Sequence, residues 1–439
     1  MSYRIGVDIG GTFTDCVVLD EQGVRSIAKA LTTPDRLEQG VLDALEVAAR
    51  LRGCSRGELL GSTEVFVHGT TQASNALVTR TGARTGLITT SGHEDAIVIG
   101  RVYAKVAGLP ERALIHASRL SKPETVVEPE LIRGVTERID RDGDELVALD
   151  EDQAVAAIES LMAERVEAIA VCLLWSFAND RHERRIAALL AERGNGEFVS
   201  CSHDVAPRIG EYERAATTAV NAYVGPKMAG YIEALETDLR AEGLAHPLLV
   251  MQGSGGLTSA NDAAHRPILT VDSGPAGGIL GCRQLAESYG EPNVICTDVG
   301  GTTFDVGLIL AGEVLMDPEP VLAQHSLRFP KVLVRSIGAG GGSIAWVEES
   351  GLLRVGPHSA GARPGPVCYG FGGHEPTVTD ADLVLGYLGE ETFLGGRMRL
   401  SRELALGALG RLGRGLQMSA EEVAAGIARI INAQMADLI

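Results

Sequence analysis

The chain has 439 residues, a formal net charge of −19, 45% hydrophobic residues and only 4% aromatic residues. This length predicts two or three domains with ample core, and the composition is typical of a globular α/β protein. The acidic balance argues against nucleic acid or an anionic membrane as a main partner. No apolar run approaches the roughly 20 residues that a membrane span needs, so no membrane span is predicted.

The cysteines and the N-terminus bear on the compartment. Seven cysteines are scattered along the chain without a C-x-x-C pair, which is typical of free thiols in a reducing environment. The first residues read directly as a strand and not as a signal peptide. We therefore predict a cytoplasmic protein.

The first element in chain order is a glycine-rich turn between two apolar runs. Residues 8–15 read DIGGTFTD, and apolar residues precede them at 3–7 and follow them at 17–19. This pattern predicts a strand, a tight Gly-Gly turn and a second strand.

Helices and strands are then predicted to alternate. A helical pattern over residues 35–52 ends near Gly53, a strand over residues 65–67 delivers His68 to a helix start, and another strand covers residues 85–89. We interpret His68 equally as a ligand contact or as a packed neighbour of the helix cap. Residues 100–130 read as an irregular surface excursion.

The stretch 150–201 repeats the helix–strand alternation, which is typical of a doubly wound α/β sheet. We expect one domain over residues 1–200 and a second over residues 201–439. The second would open with EYER (211–214), a helix start that is either ion-paired or a substrate contact. The pair Gly225-Pro226 predicts an interruption of that helix.

The first turn recurs late in the chain. Residues 298–305 read DVGGTTFD, in the same D-x-G-G-T-x-x-D frame as residues 8–15. A Gly-Gly tip lets backbone N–H groups approach a phosphate closely, and a carboxylate at the strand end can hold a hydrated Mg²⁺. One copy alone is typical of an ordinary turn. Two copies in one frame predict a duplicated nucleotide clamp, with one hairpin per domain.

Another glycine cluster, residues 338–343 (GAGGGS), lies between two predicted strands. Four glycines in six positions carry a high cost in backbone entropy. We therefore expect a ligand or another backbone to approach this loop closely, and Gly340 and Gly341 are candidate nucleotide-binding residues.

Seven phrases carry a resemblance to a known family. They are GVDIGGTFTD (6–15), HGTTQASNAL (68–77), EYERAATTAVNAYVGP (211–226), SGPAGG (273–278), DVGGTTFDV (298–306), IGAGGGSIA (337–345) and VGPHSAGARPGPVCYGFGG (355–373). With them the chain resembles the hydantoinase A / 5-oxoprolinase family, which includes N-methylhydantoinase and related subunits of acetone and acetophenone carboxylases. The resemblance implies duplicated domains of the actin / sugar kinase / Hsp70-like (ribonuclease H-like) α/β fold.

The resemblance also implies a reaction. The expected enzyme subunit uses ATP and Mg²⁺ to phosphorylate the carbonyl oxygen of a cyclic amide of hydantoin, 5-oxoproline or lactam type, so that water can open the ring. Asp8 and Asp298 would organise the Mg²⁺ and act as catalytic residues. The residues expected to cradle the phosphates are Gly10, Gly11, Thr12, Thr14, Gly300, Gly301, Thr302 and Thr303.

Two alternatives stay open. The first alternative is the ATP-using subunit of an acetone- or acetophenone-type carboxylase, which acts on a ketone. The second is a non-catalytic subunit that binds nucleotide and serves assembly. We expect an oligomer that contains a hydantoinase B-type partner subunit. Family chains usually continue well beyond residue 439, so we also expect a truncated chain that lacks the loop on the adenosine side of the nucleotide.

Overall fold

The computed structural model describes residues 2–33, 35–109, 114–116, 118, 120 and 123–439. The predicted excursion over residues 100–130 therefore lies partly outside the described residues. Within them the chain has a mixed α/β fold, with strands and helices alternating through its first half. Among the described helices, none combines the length and the apolar character that crossing a membrane requires.

Strands and helices are numbered here in chain order. The strands are β1 (Tyr3–Ile9), β2 (Phe13–Asp20), β3 (Arg25–Leu31), β4 (Thr63–Thr70), β5 (Thr85–Thr90), β6 (Ile132–Val135), β7 (Arg138–Ile139), β8 (Glu145–Val147), β9 (Ala168–Cys172), β10 (Phe198–Cys201), β11 (Leu248–Met251), β12 (Leu257–Ser259), β13 (Val294–Val299), β14 (Phe304–Leu310), β15 (Glu313–Val314), β16 (Met316–Asp317), β17 (Val321–Leu322), β18 (His325–Ser326), β19 (Lys331–Val332), β20 (Val334–Ile337), β21 (Ser343–Val347) and β22 (Leu353–Ser359). The helices are α1 (Leu37–Arg52), α2 (Arg56–Gly61), α3 (Gln72–Val78), α4 (Ala96–Ile99), α5 (Glu151–Ala163), α6 (Arg181–Arg193), α7 (Ser202–Val205), α8 (Glu211–Ala241), α9 (Ala260–His265), α10 (Ser273–Tyr289), α11 (Val378–Leu385), α12 (Arg402–Leu416) and α13 (Ala420–Leu438).

The first hairpin lies in a six-stranded sheet of order β12-β11-β4-β1-β2-β3. β1, β2 and β3 are antiparallel, whereas β4 runs parallel to β1 and β11 parallel to β4. The inward-facing residues of β1 are apolar, because alternate side chains of a strand point to opposite faces. α1 packs on this sheet and ends at Gly53, whose left-handed φ of 70° closes the helix as predicted.

A second sheet of four parallel strands has the order β10-β9-β5-β6. β9 is buried along its whole length, which explains its unbroken run of small apolar residues. This is the helix–strand alternation predicted for residues 150–201, with α5 and α6 as its helices.

The helix α8 links the two sheets. Its N-terminal half packs in the core of the second sheet through Ala215, Ala219 and Ala222, and its C-terminal half packs in the core of the first through residues such as Leu235 and Leu239. The predicted interruption at Gly225-Pro226 is wrong, because the helix continues through Pro226. Burial of both halves offsets the proline penalty, which is about 3 kcal/mol in an exposed helix.

The second hairpin is formed by β13 and β14, and β14 also pairs with β15 and β20. Beyond it, the last three helices share a core with β14 and the β21–β22 pair. The first sheet takes β11 and β12 from beyond residue 200. The expected division into residues 1–200 and 201–439 stays a prediction.

Candidate functional site

The tips of the two hairpins meet around one cavity of about 370 Å³, called the clamp cavity below. Carboxylates, glycines and threonines of both hairpins line it. Its lining includes Asp8, Gly10, Gly11, Thr12, Phe13, Asp15, Lys29, Asp298, Gly300, Gly301, Thr302, Thr303, Asp305 and Gly341. The structure thus brings together most of the residues that the sequence predicts for phosphate and Mg²⁺.

The two hairpins have the same backbone geometry. Gly10 N–H donates to the Phe13 carbonyl at 2.9 Å, and Gly300 N–H donates to the Thr303 carbonyl at the same distance. The register repeats as well, since each first aspartate faces the second aspartate of its own frame across the hairpin. The repeat in the sequence is therefore a repeat in structure.

The hairpin tips touch each other through their glycines. A Cβ atom added at Gly301 would lie only 2.3 Å from Thr12 Oγ1, and one added at Gly11 would lie 3.5 Å from Thr302 Oγ1. Glycine is therefore required at position 301 for contact between the two hairpin tips as well as for access of a phosphate to the backbone.

Asp8 lines the clamp cavity and has an unpartnered oxygen. Its Oδ1 atom is buried and has no hydrogen-bond partner among the described residues. Added Cβ atoms at Gly69 and Gly274 would approach this oxygen to 2.6 Å and 2.9 Å, so both glycines are needed to make room for the carboxylate. Two of the motifs that carry the family resemblance, at residues 68–77 and 273–278, thus each supply a glycine that makes room for the Asp8 side chain.

The surroundings of Asp8 disfavour its negative charge. The pKa of Asp8 is raised to about 6, mainly by burial and also by the charges of Asp15 and Asp298, while the charge of Lys29 lowers it. A carboxyl group with this pKa exchanges a proton near neutral pH, and it gains from any cation that binds beside it.

Among the described residues that line the clamp cavity, Lys29 is the one cationic side chain, and no motif in the sequence predicts it. Its Nζ lies 2.6 Å from Asp15 Oδ1 and 4.8 Å from the centre of the Phe13 ring. Lys29 faces Asp15 across β2 and β3, whereas the corresponding Asp305 faces Ser336. The first hairpin therefore carries a cation where the second carries a hydroxyl. The strand register that creates the pair is not visible in the repeated motif.

The second hairpin supplies Asp298 and Asp305. Asp298 is exposed to the cavity. Burial raises the pKa of Asp305 and the charge of Asp298 raises it further, while hydrogen bonds from Ser336 and Thr303 lower it. The cavity thus combines four carboxylates with one lysine, a balance that would repel a polyphosphate unless a cation accompanied it.

The clamp cavity fits Mg²⁺ by the chemistry of its donors. Carboxylate oxygens are hard ligands, and Mg²⁺ usually keeps several waters and takes one or two carboxylates together with phosphate oxygens. The orphaned Oδ1 of Asp8 is such a donor. Among the described residues, only Glu183, Cys201 and His203 gather three ligating atoms within 4.8 Å. Glu183 is saturated there by four hydrogen bonds, so this group reads as a packed polar network.

Thr14 and Gly340 lie behind the clamp and not among the residues that line it. Thr14 is fully buried, and its Oγ1 pairs with Thr32 Oγ1 at 3.2 Å. A Cβ atom at Gly340 would lie 2.6 Å from the Thr302 nitrogen. Both residues therefore pack against the hairpins without lining the clamp cavity.

The loop over residues 338–343 approaches another backbone closely, one of its two predicted uses. The N–H groups of Gly341 and Gly342 donate to the carbonyls of Gly300 and Gly301 at 3.1 Å and 2.7 Å. The glycine cluster therefore props the second hairpin, and only Gly341 and Gly342 of it reach the clamp cavity.

Two ambiguous motifs prove to be packed in the interior. His68 is fully buried, and its Nε2 lies 2.7 Å from the Tyr231 hydroxyl, while burial lowers the pKa of His68 to about 4. In the EYER stretch, Arg214 pairs with Glu211 at 2.6 Å, and Glu213 pairs with Arg101 at 2.6 Å. The ion-paired interpretation of this helix start is confirmed.

Two protein-family models match the chain. The one described as "Hydantoinase/oxoprolinase N-terminal region" covers residues 4–194, and "Hydantoinase/oxoprolinase" covers residues 214–439. The caprolactamase alpha subunit of Pseudomonas jessenii is 38% identical over 99% of this chain and 62% of its own length. The acetophenone carboxylase gamma subunit of Aromatoleum aromaticum is 41% identical over 99% of this chain and 60% of its own length.

Two solved structures resemble the fold. Nucleotide-free acetone carboxylase matches with a TM-score of 0.89 and 32% identity, and the ATP-dependent caprolactamase of Pseudomonas jessenii with 0.77 and 37%. Each match covers 99% of this chain and 62% of the other chain. The chain therefore spans about three fifths of these relatives. The expected actin-like α/β fold is confirmed.

Proposed function

Because the chain belongs to the hydantoinase/oxoprolinase family, we propose that it is the nucleotide-using part of an enzyme that activates a small carbonyl compound with ATP. The reaction we propose is the opening of a cyclic amide. The observation that carries the proposal is the clamp cavity, which two copies of one hairpin line with four carboxylates, among them Asp8 with its unpartnered oxygen.

The hairpin tips would hold the phosphates. Backbone N–H groups at a glycine tip can reach phosphate oxygens without hindrance from a Cβ atom. The Thr12 hydroxyl is buried without a partner among the described residues, so it has a donor to offer. Thr302 and Thr303 add hydroxyls from the other side, and Lys29 adds a positive charge.

Mg²⁺ would be held by Asp8 and Asp298, which approach the clamp cavity from opposite hairpins. When bound, this cation neutralises charge on the phosphates.

The chemistry is a phosphoryl transfer to oxygen. The carbonyl oxygen forms a bond to the γ-phosphorus while the bond from that phosphorus to the ADP oxygen breaks. In an amide the N–H proton leaves at the same time, and Asp8 is our candidate to accept it. Water then adds to the carbonyl carbon, and the ring C–N bond breaks as the nitrogen takes up a proton, which leaves an amine and an acyl phosphate. A second water hydrolyses the acyl phosphate to a carboxylate and inorganic phosphate. The 5-oxoprolinase of Saccharomyces cerevisiae is a further relative, 31% identical over 89% of this chain and 32% of its own length. Its name and that of caprolactamase support a cyclic amide as the substrate.

The test is phosphate release from ATP with and without carbonyl substrates. The purified chain is assayed with ε-caprolactam, 5-oxoproline and hydantoin, alone and with a co-purified hydantoinase B-type partner, which we propose as the second subunit of a cytoplasmic heteromer. We expect at least a tenfold stimulation by one cyclic amide, and ring-opened product in equal amount. ATP turnover that no cyclic amide stimulates in either arrangement would contradict the proposal.

A ketone carboxylase is the second candidate. It is favoured by the 41% identity to the gamma subunit of acetophenone carboxylase and by the TM-score of 0.89 to acetone carboxylase. Acetone and acetophenone with bicarbonate separate the two reactions. Bicarbonate-dependent consumption of a ketone would show that the chain belongs to a carboxylase and not to a cyclic-amide hydrolase. Nucleotide binding without any turnover would indicate a non-catalytic assembly subunit.

A further inference from the structure

A second cavity of about 630 Å³, called the side cavity below, adjoins the clamp cavity. The two cavities share three lining residues, Phe13, Lys29 and Phe393. Another cavity, of about 720 Å³, shares no lining residue with the clamp within the described part of the chain. The side cavity is therefore the one placed to present a molecule to the phosphate hairpins.

The walls of the side cavity are mostly apolar. They come from β3, from α1 and from the loop after residue 392, and they include Ile27, Val47, Leu51 and Leu394. Ile27 is 68% exposed and Leu51 is 61% exposed. Large apolar side chains gathered around a concave surface and left open to water are typical of a binding site.

Aromatic side chains line the boundary that the two cavities share. The Phe13 and Phe393 rings meet edge to face with centroids 6.1 Å apart, and Tyr369 packs on Phe393 at 5.6 Å. Lys29 lies on the same boundary, with its ammonium group above the Phe13 ring. Of the residues that the structure describes, Lys29 and Arg397 are the two charged side chains that line the side cavity, and Lys29 is the one that also lines the clamp cavity.

We propose that the side cavity binds the hydrocarbon body of the carbonyl substrate and directs the carbonyl oxygen past Lys29 toward the clamp cavity. This inference rests on the proposed function and names its substrate class, a neutral lactam or ketone with an apolar ring or chain. Apolar walls favour such a body, and the Lys29 ammonium can donate a hydrogen bond to a carbonyl oxygen. Small or strongly polar carbonyl compounds would gain less from these walls.

The test fills the cavity from an exposed position. Ile27→Trp places an indole in the side cavity, and because Ile27 is already exposed, the core of the sheet is not disturbed. Val24→Trp is the matched control, since Val24 is 54% exposed in the turn before β3 and lies outside the cavity. Leu51→Gln provides a second variant that does not add bulk.

The measurement is calorimetric binding of ε-caprolactam and of acetophenone to the full chain with a non-hydrolysable ATP analogue. We expect both probes to bind, Ile27→Trp to weaken the binding at least tenfold, Leu51→Gln to weaken it several-fold, and Val24→Trp to leave it within twofold. Affinity for the ATP analogue should stay within twofold in all three variants.

Two outcomes would overturn the assignment. One is equal binding of the probes by Ile27→Trp and the unmodified chain, and the other is no saturable binding of either probe by the unmodified chain. The proposed function is judged separately. If the probes bind but are not turned over, the proposed reaction is contradicted and the side cavity is still supported as a binding site. If the substrate is turned over with a KM that Ile27→Trp does not change, the side cavity is contradicted and the proposed reaction is still supported.

Discussion

The contact between the two hairpin tips can be tested by a substitution that adds one methyl group. Gly301→Ala would place its Cβ atom 2.3 Å from Thr12 Oγ1 and 2.9 Å from Thr12 Cβ. Because the Thr12 Cβ atom is itself in the way, a new rotamer of Thr12 cannot relieve the contact. The tips must separate instead.

The size of the effect follows from the distance. An ordinary contact needs about 3.5 Å, so the tips must move apart by about 1 Å. A misplacement of about 1 Å in a catalytic site can cost about a hundredfold in rate. We therefore expect kcat/KM for ATP to fall about a hundredfold, equivalent to about 2.7 kcal/mol of transition-state stabilisation. The melting temperature should change little, because the tips can open without unfolding the sheets.

The assay compares two glycines. Gly281→Ala in α10 is the matched control, since its added Cβ atom would meet nothing within 4 Å and Gly281 does not line the clamp cavity. Steady-state phosphate release is measured for both variants with a saturating carbonyl substrate, together with thermal melts. If both variants lose the same activity, or if Gly301→Ala keeps at least half of the normal kcat/KM, contact between the tips does not control the reaction.

Three further predictions concern the support of Asp8 and the core. Asp8→Asn should abolish turnover yet stabilise the fold by roughly 3 kcal/mol above pH 6, because the folded-state pKa of about 6 exceeds the ordinary 3.8. This gain should fade as the pH falls from 6 to below 4 in urea titrations, and a gain that does not depend on pH would contradict the assignment of the charge. Gly69→Ala would place a Cβ atom 2.6 Å from Asp8 Oδ1 and should lower kcat at least tenfold. Gly278→Ala has open space around its Cβ atom and should leave kcat unchanged. Equal kinetics of the two variants would show that Gly69 is not needed to make room for Asp8. Tyr231→Phe leaves the buried His68 without its partner and should cost about 1–3 kcal/mol in urea unfolding with an unchanged KM for ATP, and a raised KM would instead tie His68 to the nucleotide.

The repeated motif made the centre of the fold predictable. Its D-x-G-G-T-x-x-D frame repeats at equivalent positions, and turn chemistry is local, so the sequence alone indicates both hairpins and their shared purpose. The end of α1 at Gly53 was predictable for the same reason, since a glycine with positive φ closes a helix.

Contacts between distant segments were not predictable. The Gly69 and Gly274 cradle around Asp8 depends on two segments about two hundred residues apart meeting at one carboxylate. The Lys29–Asp15 pair depends on strand register, and the path of α8 through Pro226 depends on burial that outweighs local propensity. The predicted phosphate role of Thr14 was drawn from the motif, although alternation along β2 turns this side chain into the core.

The contribution of β11 and β12 to the first sheet affects how the chain emerges during synthesis. When residue 200 has been made, the first hairpin is present, but its sheet lacks two strands and the half of α8 that covers it. At about 5–20 residues per second, the interval until residue 259 lasts roughly 3 to 12 seconds. During this interval the edge of β4 and its apolar face are open to other nascent chains. A translational pause inside α8 should therefore lower the yield of soluble protein more than a pause after residue 259.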